Sequence, residues 1–152
     1  MPSKTRLDLD SFVPYRLSVL TNRVSSAIAR HYSERFDLSV PEWRVIAVLG
    51  QAPGLSAREV AKRTAMDKVQ VSRAVQSLLA AKRLTRTAHA EDGRIAHLSL
   101  SAKGQAIYTD VVPLALSLER QFLSALSQSE QKSLDTLLTK LSRHMDGVPD
   151  DP

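Results

Sequence analysis

Four times along this chain a short hydroxyl or carboxylate residue is followed, three positions later, by Glu or Gln. The pairs are Ser39 with Glu42, Ser56 with Glu59, Asp67 with Gln70, and Ser127 with Glu130. Such a pair marks a helix start: the first side chain accepts from free backbone N–H groups of the first turn, and the second reaches back to the cap. Three of the four fall between residues 39 and 70. That stretch is therefore a run of short helices, each restarted soon after the last.

Apolar periodicity fills in the rest. Leu17, Leu20, Val24, Ile28 and Tyr32 recur at steps of three and four, which predicts one amphipathic helix over 12–36. A helix from Ser39 to about Gly50 ends at the turn Gln51-Ala52-Pro53-Gly54. A short helix from Ser56 ends near Thr64, and the next opens at Asp67 with Val71, Ala74, Val75 and Leu78 on its apolar face. A short helix, a tight turn and a longer helix make a helix-turn-helix. The period then changes. Leu84–His89 and Ile95–Leu100 read as strands, and Asp92-Gly93 between them is a hairpin signal, because glycine tolerates positive φ. Helix returns after Ser101 with Ile107, Val111, Leu114, Leu118 and Phe122, and Pro113 should kink or break it. Ser127 caps a last helix carrying Leu134, Leu137, Leu138 and Leu141. The expected fold is mainly α with a small β-hairpin (α+β): a winged helix-turn-helix over 37–100, flanked by long helices at 12–36 and 101–145, with polar ends at 1–11 and 146–152.

Composition narrows the function. With no cysteine, disulfides, thiolate metal sites and cysteine nucleophiles are out. His31, His89, His97 and His144 have no short ligand spacing, so no metal is expected. No Gly-rich phosphate loop and no nucleophile elbow occur, so neither a cofactor nor an enzyme is expected. No apolar run approaches the ~20 residues a membrane span needs, and Met1–Asp8 lacks the apolar core of a signal peptide, so a cytoplasmic address is expected. The net charge of +5 is modest, but its placement is informative. Residues 53–100 hold nine basic and four acidic residues, while the rest of the chain balances twelve against twelve. The excess sits in the segment read as winged helix, which suits a polyanionic partner.

That partner is expected to be double-stranded DNA. The helix opened by Asp67 offers Lys68, Val69, Gln70, Ser72, Arg73 and Gln76 on its outer side. Arg pairs bidentately with guanine O6 and N7, Gln with adenine N6 and N7, and a helix N-terminus favours a phosphate. An isolated helix with such a face is ordinarily just solvated; a capped short helix before it and a hairpin after it turn the reading toward a recognition helix. Ser56, on the preceding helix, is counted with these contacts. At the hairpin tip Arg94 suits a narrow minor groove, with Asp92 to brace it, and Arg86 and His89 on the same hairpin add phosphate contacts.

Several runs together resemble the MarR family of bacterial transcription regulators. They are Leu38–Val45 (LSVPEWRV), Gly54-Leu55-Ser56, Met66–Arg73 (MDKVQVSR), Asp92-Gly93-Arg94, and Leu98–Gly104 (LSLSAKG), within a similarity covering about residues 12–145. In the last run Ser101 stands where the family usually has Thr, which keeps a hydroxyl cap. The resemblance implies a homodimer joined by the first helix and the last two, two winged helices meeting a near-palindromic operator, and repression relieved by a small ligand. It also implies an effector cleft between the dimerisation and DNA-binding parts. The polar and aromatic residues of the helices that would line it are Tyr15, Arg16, His31, Trp43, Arg44 and Tyr108. An aromatic acid or its CoA thioester would want one cation and apolar walls, with Arg16 the first choice and Arg44 the second. A ligand-independent regulator, or a winged-helix module that binds protein rather than DNA, stays open at this point.

Overall fold

The computed structural model describes residues 5–88 and 95–148. Every start signal is used. Ser39 Oγ accepts from Glu42 N at 3.3 Å while Glu42 Oε1 accepts from Ser39 N at 3.1 Å, a closed capping box at the head of α2 (Val40–Gln51). Ser56 Oγ accepts from Glu59 N to start α3 (Ala57–Thr64), and Asp67 Oδ1 accepts from Gln70 N at 2.8 Å to start α4 (Lys68–Ala80). Ahead of them, α1 (Val13–Phe36) has no side-chain cap and begins with proline in its first turn, where no intrahelical N–H is missed. The hairpin consists of β1 (Leu84–Ala88) antiparallel to β2 (Ala96–Leu100), with Leu84 opposite Leu100 and Ala88 opposite Ala96. Helix α5 (Ala102–Leu123) starts with Gly104 N donating to Ser101 Oγ, and α6 (Gln128–Asp146) has the second closed box, from Ser127 and Glu130.

Two compact units make up the chain, Met1–Ala115 and Leu116–Pro152. The core of the first centres on α2, α3, α4 and the hairpin, with Tyr32 of α1 and Ile107 and Val111 of α5 joining it. Val45, Ile46 and Leu49 of α2 meet Val60 of α3, Val71, Val75 and Leu78 of α4, and Leu84 and Leu98 of the hairpin, all buried. The other edge of β2 is also held: Leu98 N donates to Leu55 O and Gly54 N to Leu98 O, both at 2.8 Å. The hairpin is thereby tied to the turn before α3 rather than left as an isolated two-stranded ribbon, which is marginal by itself. In the second unit no α6 residue is buried; Leu137, Leu138, Leu141 and Met145 are exposed.

Two expectations change and one narrows. Of the two outcomes expected at Pro113, a kink or a break, the break does not occur: α5 runs from Ala102 to Leu123 through it. Pro113 lacks only one donor, and one missing bond in a helix this long leaves the flanking turns helical. The second strand begins at Ala96, leaving Ile95 exposed outside the ladder, and the first is described to Ala88, since residues 89–94 lie outside the described residues. The long apolar stripes are also not single-purpose. Tyr32 of α1 and Ile107 and Val111 of α5 are buried in the chain's own core, whereas Leu17 and Leu20, earlier in α1, are exposed. No described helix is long and apolar enough to cross a membrane.

Candidate nucleic-acid interface

Helix α4 is presented by its own core face. At 100° per residue Val71, Ala74, Val75 and Leu78 share one side, and all four are buried. That leaves Lys68, Val69, Gln70, Ser72, Arg73 and Gln76 exposed together. Val69 is 58% exposed, an aliphatic side chain held largely in water. An exposed methyl beside Gln70 and Arg73 suits a thymine methyl in a major groove. Because Asp67 accepts from the Gln70 N–H, its carboxylate occupies one donor of the helix start, and any phosphate there must use the others. Ser56 is half-buried, with its hydroxyl engaged by Glu59 N and donating to Glu59 Oε1 at 3.1 Å. It stands at the α3 N-terminus, where its hydroxyl already serves the cap. Arg86 is exposed on β1, in register with buried Leu98. His89, Asp92 and Arg94 lie outside the described residues.

The helix-turn-helix is also braced laterally. Glu42, already part of the α2 capping box through Oε1, accepts from Ser77 Oγ of α4 with Oε2 at 3.1 Å. Helix α4 ends in a Schellman motif: Arg83 N donates to Leu78 O and Lys82 N to Leu79 O, with Lys82 in the left-handed region at φ 59°.

Of the six residues named for an effector, the structure gathers part and separates part. The Trp43 ring lies 5.7 Å from that of Tyr32 and 6.5 Å from that of Tyr108. Arg44 acts electrostatically on Tyr32 from the same helix as Trp43. Burial pushes the Tyr32 hydroxyl above its ordinary pKa, and the Arg44 charge partly opposes this. Sequence reading placed Tyr32 in an interface stripe and missed it as a member of this aromatic group, which centres on Trp43; its position at the end of that stripe was the one available signal. His31 is exposed beside it. Tyr15 and Arg16 belong elsewhere: at ~1.5 Å rise per residue Arg16 lies roughly 24 Å up α1 from Tyr32. There they line a shallow groove with Leu9, Val13, Leu20 and Arg23.

Comparison with known proteins decides the family. A family model described as the MarR family matches residues 36–95. The HTH-type transcriptional regulator BilQ of Clostridium symbiosum is 34% identical over 98 residues, which cover 64% of this chain and 68% of that protein. The chain belongs to the MarR family. Another relative extends the match: an HTH-type transcriptional repressor of Mycobacterium tuberculosis is 26% identical over 131 residues, covering 86% of this chain and 91% of that one. The crystal structure of a MarR/EmrR family regulator from Acinetobacter superposes with a TM-score of 0.84 at 28% identity, over 93% of this chain and 100% of that one. A MarR-family winged helix is a DNA-binding regulator of transcription and not an enzyme.

Proposed function

We propose that this protein is a homodimeric repressor that binds a near-palindromic operator and releases it when a small aromatic or phenolic acid, or its CoA thioester, binds. The observation that carries the DNA half is the fully exposed outer face of α4, with Gln70, Arg73 and Gln76 on one side of a helix whose other side is buried. Gln70, Ser72, Arg73 and Gln76 read bases, while Lys68 and Arg86 hold phosphates, with His89, Asp92 and Arg94 assigned to the wing tip from their sequence positions. The dimer half is supported by uncovered apolar surface. Phe12 at the α1 cap, Val13, Leu17 and Leu20 on α1, and Leu137, Leu138, Leu141 and Met145 on α6 are exposed. Spacings of three and four on α6 make the kind of seam that a second copy buries. Residues 12–36 and 101–145 are accordingly the dimerisation region, and the protein acts in the cytoplasm.

The effector half is supported by the Tyr32–Trp43–Tyr108 aromatic group with Arg44 beside it, and by the Arg16 groove as a second cation-bearing surface. Among proteins of the same fold, the DNA binding of Bordetella bronchiseptica BpsR is regulated by 6-hydroxynicotinic acid (22% identity, TM-score 0.79). Streptococcus pneumoniae FabT has been solved in complex with DNA (23% identity, TM-score 0.72). Two measurements test the proposal. Anisotropy binding to the promoter DNA flanking the coding region should show one dimer per operator, weakening steeply between two salt concentrations as phosphate contacts release counterions. A thermal-shift screen of aromatic acids and their CoA thioesters should then yield a stabilising ligand that also dissociates the complex. A salt-insensitive or absent shift sinks the operator reading, and a screen without a hit sinks the aromatic effector.

A further inference from the structure

The residue after a left-handed helix cap ordinarily makes an apolar contact back onto the helix it ends. In the α4 Schellman motif that place is held by Arg83, half-buried, with its Nε buried and lacking a hydrogen-bond partner. A cation with an unpartnered buried donor, where the motif favours an apolar side chain, breaks a local rule at a cost. What the side chain does instead is specific. Its Nη2 donates to Phe36 O at 2.6 Å, the last residue of α1, where the helix carbonyls lack intrahelical donors and the dipole favours positive charge.

The same corner also holds the start of α5. Ser101 N donates to Arg83 O at 3.1 Å, and Ser101 Oγ to Lys82 O at 2.7 Å. Gly104 sits so close that a Cβ there would collide with the Arg83 carbonyl. So the end of α1 and the start of α5 are fastened to one corner, and that corner is the end of α4. Extended close backbone packing runs among α2, α3, α4 and the hairpin, and α1 does not share in it. Helix α1 meets this core through the side chains of Ile28, Ala29, Tyr32 and Phe36, and Arg83 adds a hydrogen bond that ties its last carbonyl to the end of α4.

We propose that Arg83 is a positioning residue for DNA binding: by clamping the α1 C-terminus to the end of α4 it sets the angle of the recognition helix against the dimerisation helix. In the dimer this fixes the spacing at which the two copies of α4 meet the operator. The proposal rests on the homodimeric reading above. Two-fold symmetry doubles any change in that angle, so spacing is the quantity it should govern, while contacts within one half-site are untouched.

The test uses the full chain and an operator mapped by footprinting on the DNA flanking its coding region. Affinity is measured for duplexes whose half-sites are one base pair closer, native, or one or two base pairs farther apart, and for a single half-site. Wild type should prefer the native spacing. Arg83→Met, which keeps the stem and restores an apolar side chain, should cut that preference by roughly five- to tenfold. Its half-site affinity and thermal midpoint should stay near wild type. Arg83→Lys, which keeps the charge and a donor, should restore most of the preference. If Arg83→Met discriminates spacing like wild type, or loses half-site and operator affinity in equal measure, Arg83 does not position α4. A wild type that binds every spacing alike overturns the dimeric reading and this proposal together, and is thus told apart from failure of the proposal alone.

Discussion

Glu42 holds two helices with one carboxylate: Oε1 accepts from Ser39 N at 3.1 Å and Oε2 accepts from Ser77 Oγ at 3.1 Å. The first bond starts α2, and the second fixes α4 across it. Glu42→Ala removes both and should cost about 1–2 kcal/mol in urea unfolding, at roughly 0.5–1 for each bond, while the Ser39 cap itself stays. Ser77→Ala should cost less, and the double variant should cost less than the sum of the two, because one bond is shared.

Arg73 and Arg86 should separate reading from holding. Both are exposed, one on the outer face of α4 and the other on the hairpin. Arg73→Ala should cost about 1–3 kcal/mol on the operator and relax the preference for it over random DNA. Arg86→Ala should weaken both DNAs alike and lower the slope of log affinity against log salt by about 1. Anisotropy titrations at three salt concentrations read both effects.

Gly50 touches the aromatic group. A Cβ there would overlap the ring of Tyr108, which stacks near Trp43. Gly50→Ala should displace that ring, shift the emission of Trp43 (the one tryptophan of the chain) and destabilise the fold by roughly 1–3 kcal/mol as overpacking does. Unchanged emission with unchanged stability would remove the ring from its assigned place.

The α6 seam should decide association. Leu137 is 57% and Leu141 53% exposed. Leu137→Asp with Leu141→Asp puts two charges into the proposed dimer interface. Sedimentation should show a monomer that keeps its helical circular dichroism, with operator affinity reduced far more than half-site affinity.

Acid should loosen the start of α6. The backbone N–H of Ser127, and then its hydroxyl contact, hold the Glu130 carboxyl below its ordinary pKa. A lowered folded-state value means the contribution is present above the unfolded pKa and is lost as pH falls through the folded one. Protection of the Glu130 and Gln131 amides, measured against their intrinsic exchange rates at each pH, should therefore fall below the ordinary carboxylate range. Glu130→Gln, which keeps a side-chain acceptor without the charge, should flatten that dependence.

Much of this protein was legible before folding. The four caps at Ser39, Ser56, Asp67 and Ser127 act over three residues, so the helix starts are written locally and each is found in place. The exposed face of α4 follows from a period of 3.6 and nothing more. Sequence reading failed where one side chain had two distant destinations open to it. Tyr32 and Ile107 lie on stripes that continue into exposed residues, and periodicity cannot tell a helix face that meets its own core from one left for another chain. Nor does spacing show that Arg16 and Trp43 sit apart while Trp43 and Tyr108 meet.

By itself, then, the sequence determined where each helix begins, which side of α4 turns outward and where the positive charge collects, because all three are set by neighbours within a few residues. The tertiary structure alone decided that Glu42 reaches Ser77, that Arg83 closes onto Phe36 and that Tyr32 anchors an aromatic group. Those contacts join residues 35, 47 and 11 or more positions apart. Hydrogen bonds and ring contacts at such separations depend on how elements pack, and no local pattern encodes the packing angle.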